Sequence, residues 1–301
     1  MKVDRVLIFG ASGFIGGKLM NHLSGASSIL IRKPDWNKNL PVCSVYINLV
    51  GKAHDHKGTN SEDDYYYTNF ELTKEIYKSF ALSEAKLLVH ISSLAALQEL
   101  EYTKALTETD ICNPISFYGK SKRAAEEWLL QQKLSSDKKL IILRPPMVHG
   151  KGDKGNLGLL YNLISKGIPY PLASFDNRRS FISLDNFCFF VEQIIENQDK
   201  LESGIYHISD DEAVSTNEII RIIKEVTNSK VSNVAIPKLL VKLIARIGDI
   251  IPFPLNTKRL RKMTGNLVVS NQKIKTTLGI SKLPYTAKEG LEKTIRSFKN
   301  A

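Results

Sequence analysis

The chain is expected to fold as an α/β protein: a Rossmann-type, doubly wound parallel sheet with a smaller, mixed α/β C-terminal domain. Short runs rich in Val, Ile and Leu alternate with longer helical patterns over the first half. That alternation is the signature of a parallel sheet covered on both faces. The first run, Val6-Leu-Ile-Phe9, leads straight into Gly10-Ala-Ser-Gly13-Phe-Ile-Gly16, a glycine-rich turn opening a helix. Beyond Gly150 the texture changes to loops rich in Gly and Pro separated by short helices, which marks a second region.

Taken in order, residues 5–9, 28–31, 45–50, 87–92 and 139–143 read as strands, each a short apolar run. Helices are expected near 14–24, 68–83 and 117–134. Phe70, Ile76, Tyr77 and Phe80 mark the apolar face of the second, and Trp128, Leu129 and Leu130 that of the third. Residues 180–184, a helix through about 196 and then 204–209 read again as strand, helix and strand, so the chain is expected to return to the first sheet. The domains are therefore expected to be discontinuous: 1–149 plus about 180–209, and 150–179 plus about 210–301. Residues 237–251 form an amphipathic helix with Lys238, Lys242 and Arg246 on its polar face. It reads either as an ordinary helix covering the small domain or as a weak peripheral membrane contact.

Composition excludes several classes. With 43% hydrophobic and 24% charged residues in 301, the chain has what a large folded core needs. No signal peptide is evident, and charges break the apolar stretches well short of a spanning helix, so a cytoplasmic protein is expected. Cys43, Cys112 and Cys188 are too scattered for a disulfide framework or a zinc site and read as buried fillers. The histidines lack metal-ligand spacing; His54 and His56 read as loop residues, and no metal is expected. The net charge of +11 falls partly on the C-terminal region. It suits an anionic partner (a nucleotide-linked substrate, nucleic acid or a membrane surface) or a solvated basic face. A recognised nucleic-acid module is missing, so no nucleic acid is expected as partner.

The turn carries the first chemistry. Gly10 makes the bend, Gly13 lets backbone N–H groups approach a pyrophosphate, and Gly16 permits close helix–strand packing, with Ser12, Phe14 and Ile15 in the same turn. About a hundred residues on, Tyr118-Gly-Lys-Ser-Lys122 places a phenol and an ammonium on one helical face. An ammonium so placed can stabilise phenolate and bring the tyrosine toward a useful acid–base range. The end of the second strand carries Arg32 and Lys33, where an NAD-specific site usually has an acid for the ribose 2′-hydroxyl. Two cations suit a 2′-phosphate, so NADP(H) is favoured over NAD(H).

This spacing, Gly-x-x-Gly-x-x-Gly followed by Tyr-x-x-x-Lys, resembles the extended short-chain dehydrogenase/reductase family, the NAD-dependent epimerases and dehydratases, over nearly the whole chain. Val89-His-Ile-Ser-Ser93 matches the strand that carries the family's serine, with Ser93 the equivalent position. Ala96-Leu97-Gln98 stands where the family usually has Val-Tyr-Gly. The resemblance implies that Leu49, Val50, Gly51 and Pro145 line the cofactor, that Tyr118 and Lys122 also touch it, and that Asn156 and Arg179 hold the substrate diphosphate. It further implies a homodimer acting on a nucleotide-diphospho-sugar of surface polysaccharide synthesis. The reading it favours is NADPH-dependent reduction at C4 of a UDP-linked 4-keto-6-deoxy-N-acetylhexosamine by Ser93, Tyr118 and Lys122. A 4-epimerase with retained NAD is the alternative, and a non-catalytic RNA-binding or nucleotide-sensing member of the fold a distant one.

Overall fold

The computed structural model describes residues 5–33, 35–53, 61–153, 155–250 and 255–299. His54, His56 and the last residue of the 237–251 segment lie outside them. The strands among the described residues are β1 (Val6–Phe9), β2 (Ala26–Ile29), β3 (Val45–Asn48), β4 (Leu87–Ile91), β5 (Lys139–Arg144), β6 (Met147–His149), β7 (Phe181–Ser183) and β8 (Gly204–His207). The α-helices are α1 (Phe14–His22), α2 (Glu62–Tyr66), α3 (Leu72–Leu82), α4 (Phe117–Leu130), α5 (Asn156–Ser165), α6 (Leu184–Glu196), α7 (Thr216–Thr227), α8 (Lys238–Ile247), α9 (Thr257–Thr264), α10 (Gln272–Leu278) and α11 (Ala287–Lys299).

Six strands form one parallel sheet in the order β2-β1-β3-β4-β5-β8. Its two faces can be read from β1 alone, because successive side chains point to opposite sides. Val6 and Ile8 join Leu19 of α1 and Phe187, Val191 and Ile194 of α6 in one core. Leu7 and Phe9 join Ile76 and Phe80 of α3 and Leu129 of α4 in another. This is the doubly wound sheet that the alternating sequence predicts. A third core gathers Ile219, Ile222 and Ile223 of α7 with Leu291 and Ile295 of α11 and Leu157 and Ile164 of α5.

The structure alters four details. β2 ends at Ile29, two residues short of the apolar run, because its partner β1 ends at Phe9 and Gly10 turns away with φ +86°. β3 stops at Asn48 for the same reason, opposite Phe9. The helix expected over 68–83 is divided: Tyr67–Glu71 forms a π-helical turn before α3. β7 does not return to the main sheet but pairs in parallel with β6, whereas β8 does return, beside β5. Cys43 and Cys188 are buried, as fillers should be, but Cys112 is half-buried and lies 3.4 Å from Nη2 of Arg144.

Candidate active site

The strand order reverses at β1, whose neighbours β2 and β3 follow it in the chain. A crevice opens at such a switch point above the carboxyl ends of the strands. Here it is a cleft of about 1970 Å³ that runs from the glycine turn past Ser93 and Tyr118 to Asn156 and Arg179. The first helix is built for an anion. α4, α6 and α7 are each capped by a serine hydroxyl (Ser116, Ser183 and Ser215), whereas the N-cap of α1 is Gly13 and offers no side chain. The amides of its first turn are therefore left to whatever enters the cleft.

At Gly16 the turn has no room for a side chain. A Cβ on Gly16 would stand 2.4 Å from the Gly10 carbonyl oxygen and 2.6 Å from Ala11 Cα. Both contacts are with backbone, so nothing can swing aside. Gly16→Ala is expected to weaken nicotinamide-dinucleotide binding at least about tenfold by displacing the turn. Fluorescence titration measures it, and unchanged affinity would mean that the turn does not seat the cofactor. Gly51 is a second close approach: a Cβ there would meet Lys122 Nζ at 3.0 Å and Asn69 Oδ1 at 3.3 Å. The observed shape, a glycine-lined wall leading to an uncapped helix start, fits a dinucleotide.

Ser93 is carried just past β4, where it caps a short 3-10 turn by accepting from Ala95 N at 3.2 Å. The loop is tied to β5 through Leu94 N, which donates to Pro145 O at 2.8 Å. Tyr118 stands in the first turn of α4. Burial pushes its phenol up, a hydrogen bond with Ser93 pulls it back by less, and Glu99 and Tyr65 add to the rise. Lys122, one turn on, is 3% exposed and donates to Ile91 O at 2.9 Å. Burial brings it down to about 8, opposed by Glu126. The expectation that the ammonium brings the tyrosine down is not met in the resting site, where burial outweighs the Ser93 hydrogen bond and Lys122 donates to the strand-end carbonyl. Tyr118 is a neutral hydroxyl at neutral pH, a proton donor in waiting.

Three supporting groups escaped the sequence reading. Asn69, fully buried in the π-helical turn, accepts from Lys52 N at 2.8 Å and donates to Ser121 Oγ at 2.9 Å, joining the Gly51 loop to α4. A polar residue on the buried face of the 68–83 pattern was the available signal. Glu99 accepts at one oxygen from Ile115 N (3.0 Å), Ser116 N (2.8 Å) and Ser116 Oγ (2.9 Å), which fixes where α4 begins. Glu126 and Arg144, both inaccessible to solvent, pair under the sheet through bonds of 2.8 and 2.6 Å, and Ser92 Oγ donates to Glu126 at 2.6 Å.

Of the residues singled out in the sequence, Gly10, Ser12, Gly13, Phe14, Ile15, Gly16, Leu49, Gly51, Ser93, Tyr118, Lys122, Pro145, Asn156 and Arg179 share the cleft wall. Val50 is buried behind it, its carbonyl 3.5 Å from Lys122 Nζ. Arg32 and Lys33 are exposed beyond the end of β2 and do not line the cleft. Arg179 lines it but spends Nη1 on the carbonyls of Lys262 and Gly265 at the end of α9.

Residues 31–209 match the NAD dependent epimerase/dehydratase family. The chain is 27% identical to the UDP-glucose 4-epimerase of Vibrio cholerae, over 98% of this chain and 96% of that one. Among solved structures it is similar to the UDP-glucuronic acid 4-epimerase from Bacillus cereus in complex with NAD (TM-score 0.77, 17% identity, 98% of each chain). It is also similar to RMD from Pseudomonas aeruginosa complexed with NADPH (TM-score 0.75, 16% identity, 99% of this chain and all of that one). Both likenesses show the fold.

Proposed function

Because the chain belongs to the NAD dependent epimerase/dehydratase family, we propose that its cleft carries out redox chemistry at C4 of a nucleotide-diphospho-sugar, as an NADPH-dependent 4-ketoreductase. The substrate class that fits the reading is a UDP-linked 4-keto-6-deoxy-N-acetylhexosamine. The observation that carries it is the placement of Tyr118, beside Ser93, on the wall of the cleft that begins at the uncapped α1.

A nicotinamide dinucleotide held by the Gly10–Gly16 turn would supply the hydride that reduces the carbonyl carbon. Tyr118 gives its proton to the carbonyl oxygen as negative charge grows there, and Ser93 hydrogen-bonds the same oxygen. Lys122, still largely protonated at neutral pH, would supply a positive charge one helical turn from the phenolate that remains. Gly10, Ser12, Gly13, Phe14, Ile15 and Gly16 would cradle the dinucleotide, with Leu49, Val50, Gly51 and Pro145 along its path. Asn156 and Arg179 would meet the substrate diphosphate. We infer the domain division from the same reading: 1–149 plus about 180–209 for the cofactor, and 150–179 plus about 210–301 for the sugar nucleotide.

Arg32 and Lys33 support NADPH, since neither can accept from a ribose 2′-hydroxyl and both can pair with a 2′-phosphate. Replacing both by Ala is expected to weaken NADPH about tenfold and NADH little; equal weakening would remove them from cofactor choice. The similarity to 4-epimerases favours a second reading, a UDP-sugar 4-epimerase that keeps NAD bound. One experiment separates the two: purified protein is checked for carried cofactor, titrated with NADPH and NADH, and assayed both on the 4-keto sugar nucleotide and on a UDP-sugar with a C4 hydroxyl. Net consumption of NADPH supports the reductase. Retained NAD with interconversion of C4 epimers, and no net consumption, overturns it.

A further inference from the structure

Most amphipathic surface helices turn their apolar face inward. α8 turns apolar residues both ways. Val241 and Ala245 are buried in the core shared with α7 and α11. On the other side Leu239 (82% exposed), Leu240 (48%), Leu243 (54%) and Ile247 (49%) face solvent, with Ile250 (87%) in the turn that follows. At about 100° per residue the four helical positions fall within an arc of about 100°, a continuous stripe. Lys238, Lys242 and Arg246 recur every four residues along one edge of it, Lys238 also lying over the Phe175 ring at 5.8 Å. Between residues 231 and 264 the sequence holds one acid, Asp249, against seven Lys and Arg, of which, among the described residues, Arg261 and Lys262 pair with Glu101 and Glu99 and the three of α8 do not. Asp249 is taken by the amide and hydroxyl of Thr257.

We propose that α8 docks the protein on an anionic lipid bilayer, with the Leu239–Ile247 stripe entering the headgroup region and Lys238, Lys242 and Arg246 resting on lipid phosphates. The arrangement has the chemistry of an interfacial helix: a narrow apolar stripe, a basic margin and an anchored opposite side. A second copy of the chain is a poorer occupant. Antiparallel pairing of two such stripes about a two-fold axis would bring the same basic margin against itself. No helix among the described residues is long and apolar enough to cross a membrane, so the contact is peripheral.

The test is cosedimentation of the whole protein with phosphatidylcholine vesicles, with and without phosphatidylglycerol, at low and raised salt. The expected result is partition into the anionic vesicles that weakens as salt rises. Leu243→Glu with Ile247→Glu is expected to lower it at least about tenfold at either salt, and Lys242→Glu with Arg246→Glu to remove the anionic preference. All variants should keep nicotinamide binding, which shows that they fold. Failure of the wild type to partition, or equal partition of wild type and both double variants, overturns the proposal. So does a change from oligomer to monomer in the Leu243/Ile247 variant with vesicle binding unaltered, which would assign the stripe to a second copy. Vesicle binding needs no sugar substrate, so its outcome is independent of the proposed reaction.

Discussion

Tyr118→Phe is expected to lower kcat by about a thousandfold while leaving nicotinamide affinity within about twofold, because it removes the proton-bearing hydroxyl and little volume. Burial holds the phenol above its usual range. The wild-type rate should therefore hold up to neutral pH and fall on the alkaline side, first as Lys122 loses its proton at about 8 and then, at higher pH, as the phenol does. In the variant the higher of the two alkaline steps should disappear, leaving the one that belongs to Lys122. Single-turnover measurements with saturating cofactor isolate the step, and a variant that retains its rate and pH profile would remove Tyr118 from the chemistry. Ser93→Ala belongs beside it as a milder change, since a single hydrogen bond to the oxygen is lost and the acid remains.

Glu126→Ala should be the most damaging substitution away from the cleft. Glu126 and Arg144 are 0% and 1% exposed, and the carboxylate receives bonds from Arg144 and Ser92. Removing it leaves a guanidinium buried without its counter-charge, and Arg144 Nη1 already has no hydrogen-bond partner among the described residues. The expected loss is about 3–5 kcal/mol, a fall in Tm of about 10 °C for a chain of this size. Replacing the whole pair, Glu126→Leu with Arg144→Met, should restore much of it, because no charge is then stranded. Urea denaturation of the two variants decides the matter: a single variant as stable as the wild type would mean that the pair does not compensate itself. The site should feel the change too. Glu126 holds Lys122 up against burial, so its loss should lower the ammonium's pKa further below about 8 and shift the pH profile of turnover.

These two predictions rest on different kinds of information. Tyr118 and Lys122 stand four residues apart, so their common helical face follows from the pitch of a helix and was visible in the chain. The same holds for the glycine turn, a backbone requirement confined to Gly10–Gly16, and for the strand–helix alternation, which is written in local hydrophobic periods. Glu126 and Arg144 are separated by eighteen positions and a strand boundary, and neither has a motif. Their pairing exists because α4 packs beneath β5. Asn69 is hidden likewise, since its partners Lys52 and Ser121 lie 17 and 52 residues away.

The family, the dinucleotide turn and the tyrosine–lysine helix were thus legible in the chain, because each depends on neighbours within one or two turns of structure. The end of β2, the pairing of β7 with β6, the carbonyl that occupies Lys122 and the outward stripe of α8 were not. Each is settled by which surface meets which across long stretches of sequence. A short apolar run does not say which strand it will lie beside, and an amphipathic period does not say which side of the helix will find the core.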